Sequence, residues 1–332
     1  MTDGVVPSET PKSIVFAGFR ETGKTTFLVA LWHTIVKNEV PGALTLENFY
    51  EGDREYINSR HAEWLSYEPV KRTLVDLSTP IKMTLRDAKR DRLLQLGIPD
   101  LSGETFKVQF EERHASKTFA QAVNGAVGFG IFINPIRVED PTRIREAWDA
   151  LDGEPEETDA PDGASMSEPA PDGPPAVPKD DVAGSENGGR KEVSSDISGV
   201  PSKKAPDFKA EMCCTQVKYV DLLQQLVEHG VSTPLRCAVI VSAMDRLDGT
   251  PFENRPEDFI RARMSLFDQF LHARKDLFEA RIYGVSAQGG EYDAASVESL
   301  AKLGADRIRL SVSGKRDNDI TRPLRWLAFG EE

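Results

Sequence analysis

Cysteine is scarce: three in 332 residues leave no basis for a disulfide framework or a thiolate metal site. Cys213 and Cys214 are adjacent, Cys237 stands alone and no Cys-x-x-Cys pair occurs, so all three read as small core hydrophobes of a reducing, cytoplasmic compartment. Histidine is almost as sparse, with five along the chain and none spaced with another His or a Cys as metal ligands are; each reads as a surface or core residue. No apolar run approaches the ~20 residues that cross a bilayer. The polar opening stretch with Pro7 and Pro11 lacks the apolar core of a signal peptide and is expected to be disordered over residues 1–12. Excess positive charge is missing too. With 41 basic against 54 acidic residues and a formal charge of −13, binding to nucleic acid or an anionic membrane is disfavoured.

Aromatic residues are absent between Gly153 and Pro206, where Pro, Gly, Ser, Ala, Asp and Glu dominate. Such a segment buries too little apolar surface to offset its conformational entropy, so residues 153–206 are expected to form a disordered acidic insertion. It carries much of the negative charge, and a solvated linker is its plainest reading. Folded-looking sequence on both sides places it in a surface loop of one domain, whose two parts are residues 13–152 and 207–330.

What is present alternates between strand and helix patterns. Apolar runs at Ser13–Ala17, Leu93–Ile98 and Arg281–Val285 read as strands, Arg236–Ser242 as a buried strand, and the near-continuous run Ala126–Asn134 as a central strand covered on both faces. Pro80–Arg86 alternates with period two and should pair antiparallel with Leu93–Ile98 across a charged turn. Between them lie helical patterns at Thr25–Val36, Asp53–Leu65, Gly103–Ala122, Arg143–Leu151, Phe208–His229, Phe259–Leu277 and Ile320–Phe329, the last with Pro323 in its first turn. Trp32, Trp64, Trp148 and Trp326 read as packing residues. The expected fold class is α/β: a doubly wound, mostly parallel sheet of six strands with one antiparallel edge strand and the long insertion.

The first strand runs into Gly18-Phe19-Arg20-Glu21-Thr22-Gly23-Lys24-Thr25, followed by Thr26 and an apolar helix. This is G-x4-G-K-[ST] in a strand–loop–helix setting, a phosphate-binding P-loop. Glycines let backbone N–H groups approach a phosphate, and the helix N-terminus adds partial positive charge. Lys24 would reach the β- and γ-phosphates and the Thr25 hydroxyl a Mg²⁺ ion. Asp100-Leu101-Ser102-Gly103-Glu104 follows the third strand. In that place the Asp100 carboxylate would hold the metal's hydration shell and the Gly103 N–H the γ-phosphate, although any strand-to-helix turn can carry Asp and Gly. Ser242-Ala243-Met244-Asp245 ends a later strand, where a carboxylate can accept both N1–H and N2–H of guanine; the plain alternative is an N-cap Asp. Ser286-Ala287-Gln288 ends the last strand, with the Ala287 N–H available to guanine O6.

In this order on these strands, the motifs resemble the Ras-like GTPases of the translation-factor-related P-loop class. More narrowly, Gly-Lys-Thr-Thr-Phe-Leu followed by Ala-Leu-Trp, the stretch from Trp64 through Pro69 to Arg72-Thr73, and the ending Ile320-Thr321-Arg322-Pro323-Leu324-Arg325-Trp326-Leu327 are similar to the bacterial double-GTPase families. The resemblance implies GTP or GDP with Mg²⁺ as cofactors. It implies Thr73 as the switch threonine on the metal and γ-phosphate, with Thr79 as its competitor. It also implies protein partners, whether activator, effector or second GTPase, in a bacterial conflict or signalling system. Two departures matter. Ser242 and Ala243 stand where the family has Asn/Thr-Lys, which weakens the guanine signature, and Glu104 stands where many relatives place the glutamine that orients the attacking water. Slow hydrolysis follows, with Arg20 as either a cis-acting arginine or a solvent-facing loop residue. The expectation is a slow GTPase switch; a scaffold that binds GTP or GDP with little hydrolysis, or an ATPase, are the alternatives.

Overall fold

The apolar runs condense into a sheet whose alternate residues face two separate cores. The computed structural model describes residues 12–51, 54–70, 81–98, 103–139, 213–230 and 233–331. The strands are β1 (Lys12–Ala17), β2 (Thr45–Glu51), β3 (Ile81–Asp87), β4 (Arg92–Ile98), β5 (Ala126–Ile133), β6 (Leu235–Val241), β7 (Phe278–Ser286), β8 (Arg309–Val312) and β9 (Lys315–Asp317). Their spatial order is β2-β3-β4-β1-β5-β6-β7-β8-β9. The five strands from β4 to β7 run parallel, and β2, β3, β8 and β9 add antiparallel ribbons at the two sides.

The α/β expectation holds, but six strands with one antiparallel edge does not: among the described residues the sheet has nine, and β3 lies inside β2. Of the added strands, β8 is short, four residues with Leu310 and Val312 in the core, and the two outermost are rich in polar residues. β2 reads TLENFYE and β9 reads KRD, so neither shows the apolar alternation that marks a half-buried strand.

Helices cover both faces: α1 (Lys24–Lys37), α2 (Arg54–Leu65), α3 (Gly103–Glu112), α4 (Lys117–Asn124), α5 (Thr215–His229), α6 (Pro256–Arg263), α7 (Ser265–Ala273), α8 (Ala294–Leu300) and α9 (Arg322–Phe329). Two expected single helices are pairs. The Gly103–Ala122 pattern breaks where Arg113 takes a left-handed φ of 54° and Ser116 restarts the helix by accepting the Phe119 N–H. The Phe259–Leu277 pattern breaks at Met264, whose φ of −129° and ψ of 43° lie outside the helical range. Along β1, Ile14 and Phe16 join the core with α1 and α9, while Val15 and Ala17 join the core with α5, α6 and α7. β5 repeats this alternation, Phe132 on one side and Ile131 and Ile133 on the other. β1 is thereby anchored on both faces, and the loop that leaves its C-terminal end starts from a fixed point.

The closing segment is held by buried polar groups. Thr321 Oγ1 accepts the Leu44 N–H at 3.0 Å, and Arg325 donates to the Gly42 carbonyl at 2.8 Å while lying 3.4 Å from both Asp87 and Asp319. Trp326 and Leu327 are fully buried. The acidic segment 153–206, the Arg143–Leu151 helical pattern, Trp148, Thr73, Thr79 and Asp100 lie outside the described residues. Every described element belongs to one unit, residues 1–142 with 208–332. Among the described residues no helix is long and apolar enough to cross a membrane.

Candidate functional site

At the C-terminal end of the parallel strands, where α/β sheets present ligand crevices, the loop from Gly18 to Gly23 turns back over its own lysine. Lys24 Nζ donates to the Gly18 carbonyl at 2.6 Å and to the Phe19 carbonyl at 3.2 Å, and the side chain is buried. Thr22 Oγ1 donates to the Phe19 carbonyl at 2.9 Å, closing the loop from within. Gly23 is the N-cap of α1 at φ 81°, and no side chain caps that helix end. The backbone angle favours glycine, and a Cβ on Gly23 would press on the Ser242 Cβ at 3.2 Å. From the neighbouring strand, Asn134 Nδ2 donates to the Glu21 carbonyl at 2.8 Å, and Arg137 pairs with the Glu21 carboxylate. The result is a preformed concavity of backbone amides, helix dipole and ammonium, the arrangement that receives phosphate.

Gly103 opens α3 directly against this loop. A Cβ there would lie 2.6 Å from the Arg20 N and Cα. Glu104, the next residue, places Oε1 3.2 Å from Arg20 Nε, both side chains being about half exposed.

The other end of the site is built by the loops after β6 and β7. The Ser242 N–H and hydroxyl both donate to the Ile133 carbonyl, at 2.9 and 3.3 Å. Ala243 takes a left-handed φ of 49° and starts the short turn that carries Asp245. Ser286, fully buried, donates to Asp245 Oδ1 at 2.5 Å and accepts the Gly289 N–H at 3.1 Å. The Ala287 carbonyl accepts the indole N–H of Trp64 at 3.0 Å. The Arg307 guanidinium stacks 3.7 Å from the Trp64 ring centre and donates to the Trp64 carbonyl; burial pushes its pKa down to about 10.

These two ends border one cavity of about 500 Å³. Arg20, Glu21, Thr22, Gly23, Lys24, Thr25 and Thr26 line it at one end, Ser242, Asp245 and Ala287 at the other, and Gly103 and Glu104 at the side. Gly18 and Ser286 stand behind the wall, the first holding Lys24 and the second Asp245. Among the described residues no cluster of three or more His, Cys, Asp or Glu is arranged to hold a metal ion.

Three contributors had no role at the site assigned to them from the sequence: Asn134, Trp64 and Gln288. Asn134 had a signal, since a polar residue closes an otherwise apolar strand. Trp64 opens a stretch that carries the family resemblance, but its role at the site had no local signal, because its indole meets a carbonyl 223 positions away. His33 is a core residue, as read from the sequence, and the fold brings it to His61, with His33 Nδ1 2.9 Å from His61 Nε2.

Comparison with curated proteins finds no match. Among solved structures, a bacterial selenocysteine-specific elongation factor aligns at 11% identity with a TM-score of 0.32, covering 89% of this chain; the chain spans 28% of that structure's length. A family profile described as Double-GTPase 1 matches residues 15–327, from the first core strand to the closing helix, and the chain belongs to that family of P-loop GTPases.

Proposed function

We propose that the chain is a Mg²⁺-dependent GTP-binding switch that hydrolyses GTP slowly and acts through partner proteins. The observation that carries this reading is the span of a single cavity from the Lys24 ammonium and the uncapped N-terminus of α1 to the Asp245 carboxylate. A nucleoside triphosphate needs those two chemistries at opposite ends, cation and amide donors for phosphate and a fixed hydrogen-bonding group for the base. Lys24 and the N–H groups of the Gly18–Thr26 loop bind the β- and γ-phosphates. Asp245, held by Ser286, accepts N1–H and N2–H of guanine, and the Ala287 N–H serves O6. The cradle fits Mg²⁺ through the Thr25 hydroxyl on the first turn of α1, with Asp100 and Thr73 as the further groups that complete the site. The ion would supply charge neutralisation between the β- and γ-phosphates.

Glu104 and Arg20 favour the low rate. An anionic side chain beside the γ-phosphate site opposes the charge of the transferring group. Its pairing with Arg20 occupies the nearest exposed guanidinium of the P-loop. The same pair favours a second reading, a scaffold that binds GTP or GDP with little turnover. A role in a bacterial conflict or signalling system, beside a second GTPase, extends the family membership in the same direction.

Equilibrium binding of GTP, GDP and ATP with and without Mg²⁺, followed by phosphate release from the same samples, tests the proposal. Guanine preference with measurable release supports the switch, and preference without release supports the scaffold. Equal binding of ATP would overturn the role given to Asp245.

A further inference from the structure

Gln288 follows Ala287 on the cavity wall and is only 6% exposed, yet neither its Nε2 nor its Oε1 has a hydrogen-bond partner. A buried carboxamide left without partners is destabilising, and an apolar side chain at this position would avoid that cost. The cost is removed when a ligand in the cavity supplies the partner.

The neighbouring groups define which edge of a base remains for it. Asp245 is acceptor-only as a carboxylate and takes the N1–H and N2–H edge of guanine in the proposed function, on which this inference rests. The Ser242 hydroxyl spends its single donor on the Ile133 carbonyl. Ala243 has no polar side chain. Arg246, the other cavity-lining residue of the loop after β6 that carries donors, pairs with Glu291, which leaves N7 of guanine to a neutral donor. A glutamine carboxamide carries two N–H donors and an acceptor, and its terminal torsion is broad, so its amide turns to suit the ligand.

We infer that Gln288 is a base-reading residue, its Nε2–H donating to N7 of the bound purine while Asp245 fixes the opposite edge. The carboxamide alone would also suit adenine, which offers N7 with an N6 donor. Selection for guanine then comes from Asp245, and Gln288 adds affinity and fixes the orientation of the base.

The test is calorimetric binding of GTP and 7-deaza-GTP, which replaces N7 by C–H, to the full chain and to Gln288→Leu in the presence of Mg²⁺. One neutral hydrogen bond corresponds to roughly a 3- to 10-fold change in affinity. The wild-type chain should bind 7-deaza-GTP weaker by that factor. Gln288→Leu should bind GTP weaker by a similar factor and no longer distinguish the two nucleotides. Gln288→Glu, of the same size but acceptor-only, should fall further for GTP than for 7-deaza-GTP, and it guards against a folding defect in the leucine variant. Equal binding of both nucleotides by the wild type, or equal discrimination by wild type and variants, would overturn the inference while leaving GTP binding intact. Absence of GTP binding by the wild type would instead overturn the proposed function beneath it.

Discussion

Arg20 Nε lies 3.2 Å from Glu104 Oε1, an ion pair that ties the P-loop to the first turn of α3. One residue earlier, Gly103 brings the same turn so close to Arg20 that no side chain fits between them. The start of α3 is thus joined to the phosphate loop twice, once by charge and once by backbone contact. The two links have different consequences. A pair with side chains 58% and 47% exposed is worth about 0–1 kcal/mol to folding, whereas the backbone contact is a packing constraint.

Glu104→Gln should therefore leave stability within about 1 kcal/mol and act on turnover. The substitution removes a negative charge next to the proposed γ-phosphate position and provides an amide that can orient water. Single-turnover phosphate release should rise by roughly tenfold, equivalent to ~1.4 kcal/mol of barrier. A rate that stays the same or falls would show that the carboxylate is not what slows hydrolysis.

Gly103→Ala addresses the other link. Its Cβ would stand 2.6 Å from the Arg20 backbone and 2.8 Å from the Phe19 carbonyl carbon, neither of which is a flexible side-chain end. Either α3 or the P-loop must shift, at about 1–3 kcal/mol. Thermal unfolding should move down by several degrees, and nucleotide affinity should drop with it because Phe19 also accepts from Lys24 and Thr22. An unchanged melting temperature would mean that the two elements separate freely.

Ser286→Ala probes the base end. The hydroxyl is fully buried and serves two partners, the Asp245 carboxylate and the Gly289 N–H. Its removal leaves both incompletely paired, a cost of about 1–3 kcal/mol. GTP affinity should weaken on the order of tenfold because Asp245 loses the contact that fixes its orientation. Titration of the variant with GTP and a parallel melt would check this, and full retention of affinity would show that Asp245 is positioned without Ser286.

Which parts of this arrangement were legible in the sequence follows from their physics. The P-loop and the parallel strands were, because short-range pattern determines them: an apolar run too long to alternate marks a strand buried on both faces, and glycine spacing marks the loop. β2 and β9 were not: β9 is Lys-Arg-Asp, and in β2 the apolar Leu46 and Phe49 are separated by Glu47 and Asn48, so neither shows period-two alternation and both depend on a neighbour's backbone groups. The helix breaks at Arg113 and Met264 were hidden because neither position carries Gly or Pro. Buried charges were hidden for a related reason. No local pattern marks Arg307 or Arg325 as buried, and only the tertiary fold shows that Trp64 and Asp319 accompany them. The same long-range dependence applies to the Trp64–Ala287 bond and to the histidine pair.

That histidine pair predicts an acid-sensitive joint between α1 and α2. His33 is buried and hydrogen-bonded to His61, and both rings lie against Trp64, whose indole holds the loop of Ala287. Burial first, and then the charges of His33, Lys37 and Arg307, push the His61 pKa from its ordinary 6.5 down to about 4; burial also lowers that of His33. Between pH 6.5 and about 4 the unfolded chain binds protons that the folded chain refuses, so stability is greatest above this window and declines as pH falls through it. The His61 ring is partly exposed, and solvent screening holds the loss attributable to it to about 1–2 kcal/mol. His61→Gln keeps a side chain that can pair with His33 and removes the titrating group. Denaturant unfolding at pH 7.5 and pH 5 should show a smaller pH-dependent loss in this variant than in the wild type. Equal losses in the two would place the acid sensitivity elsewhere, in the carboxylates that pair with arginine across the sheet.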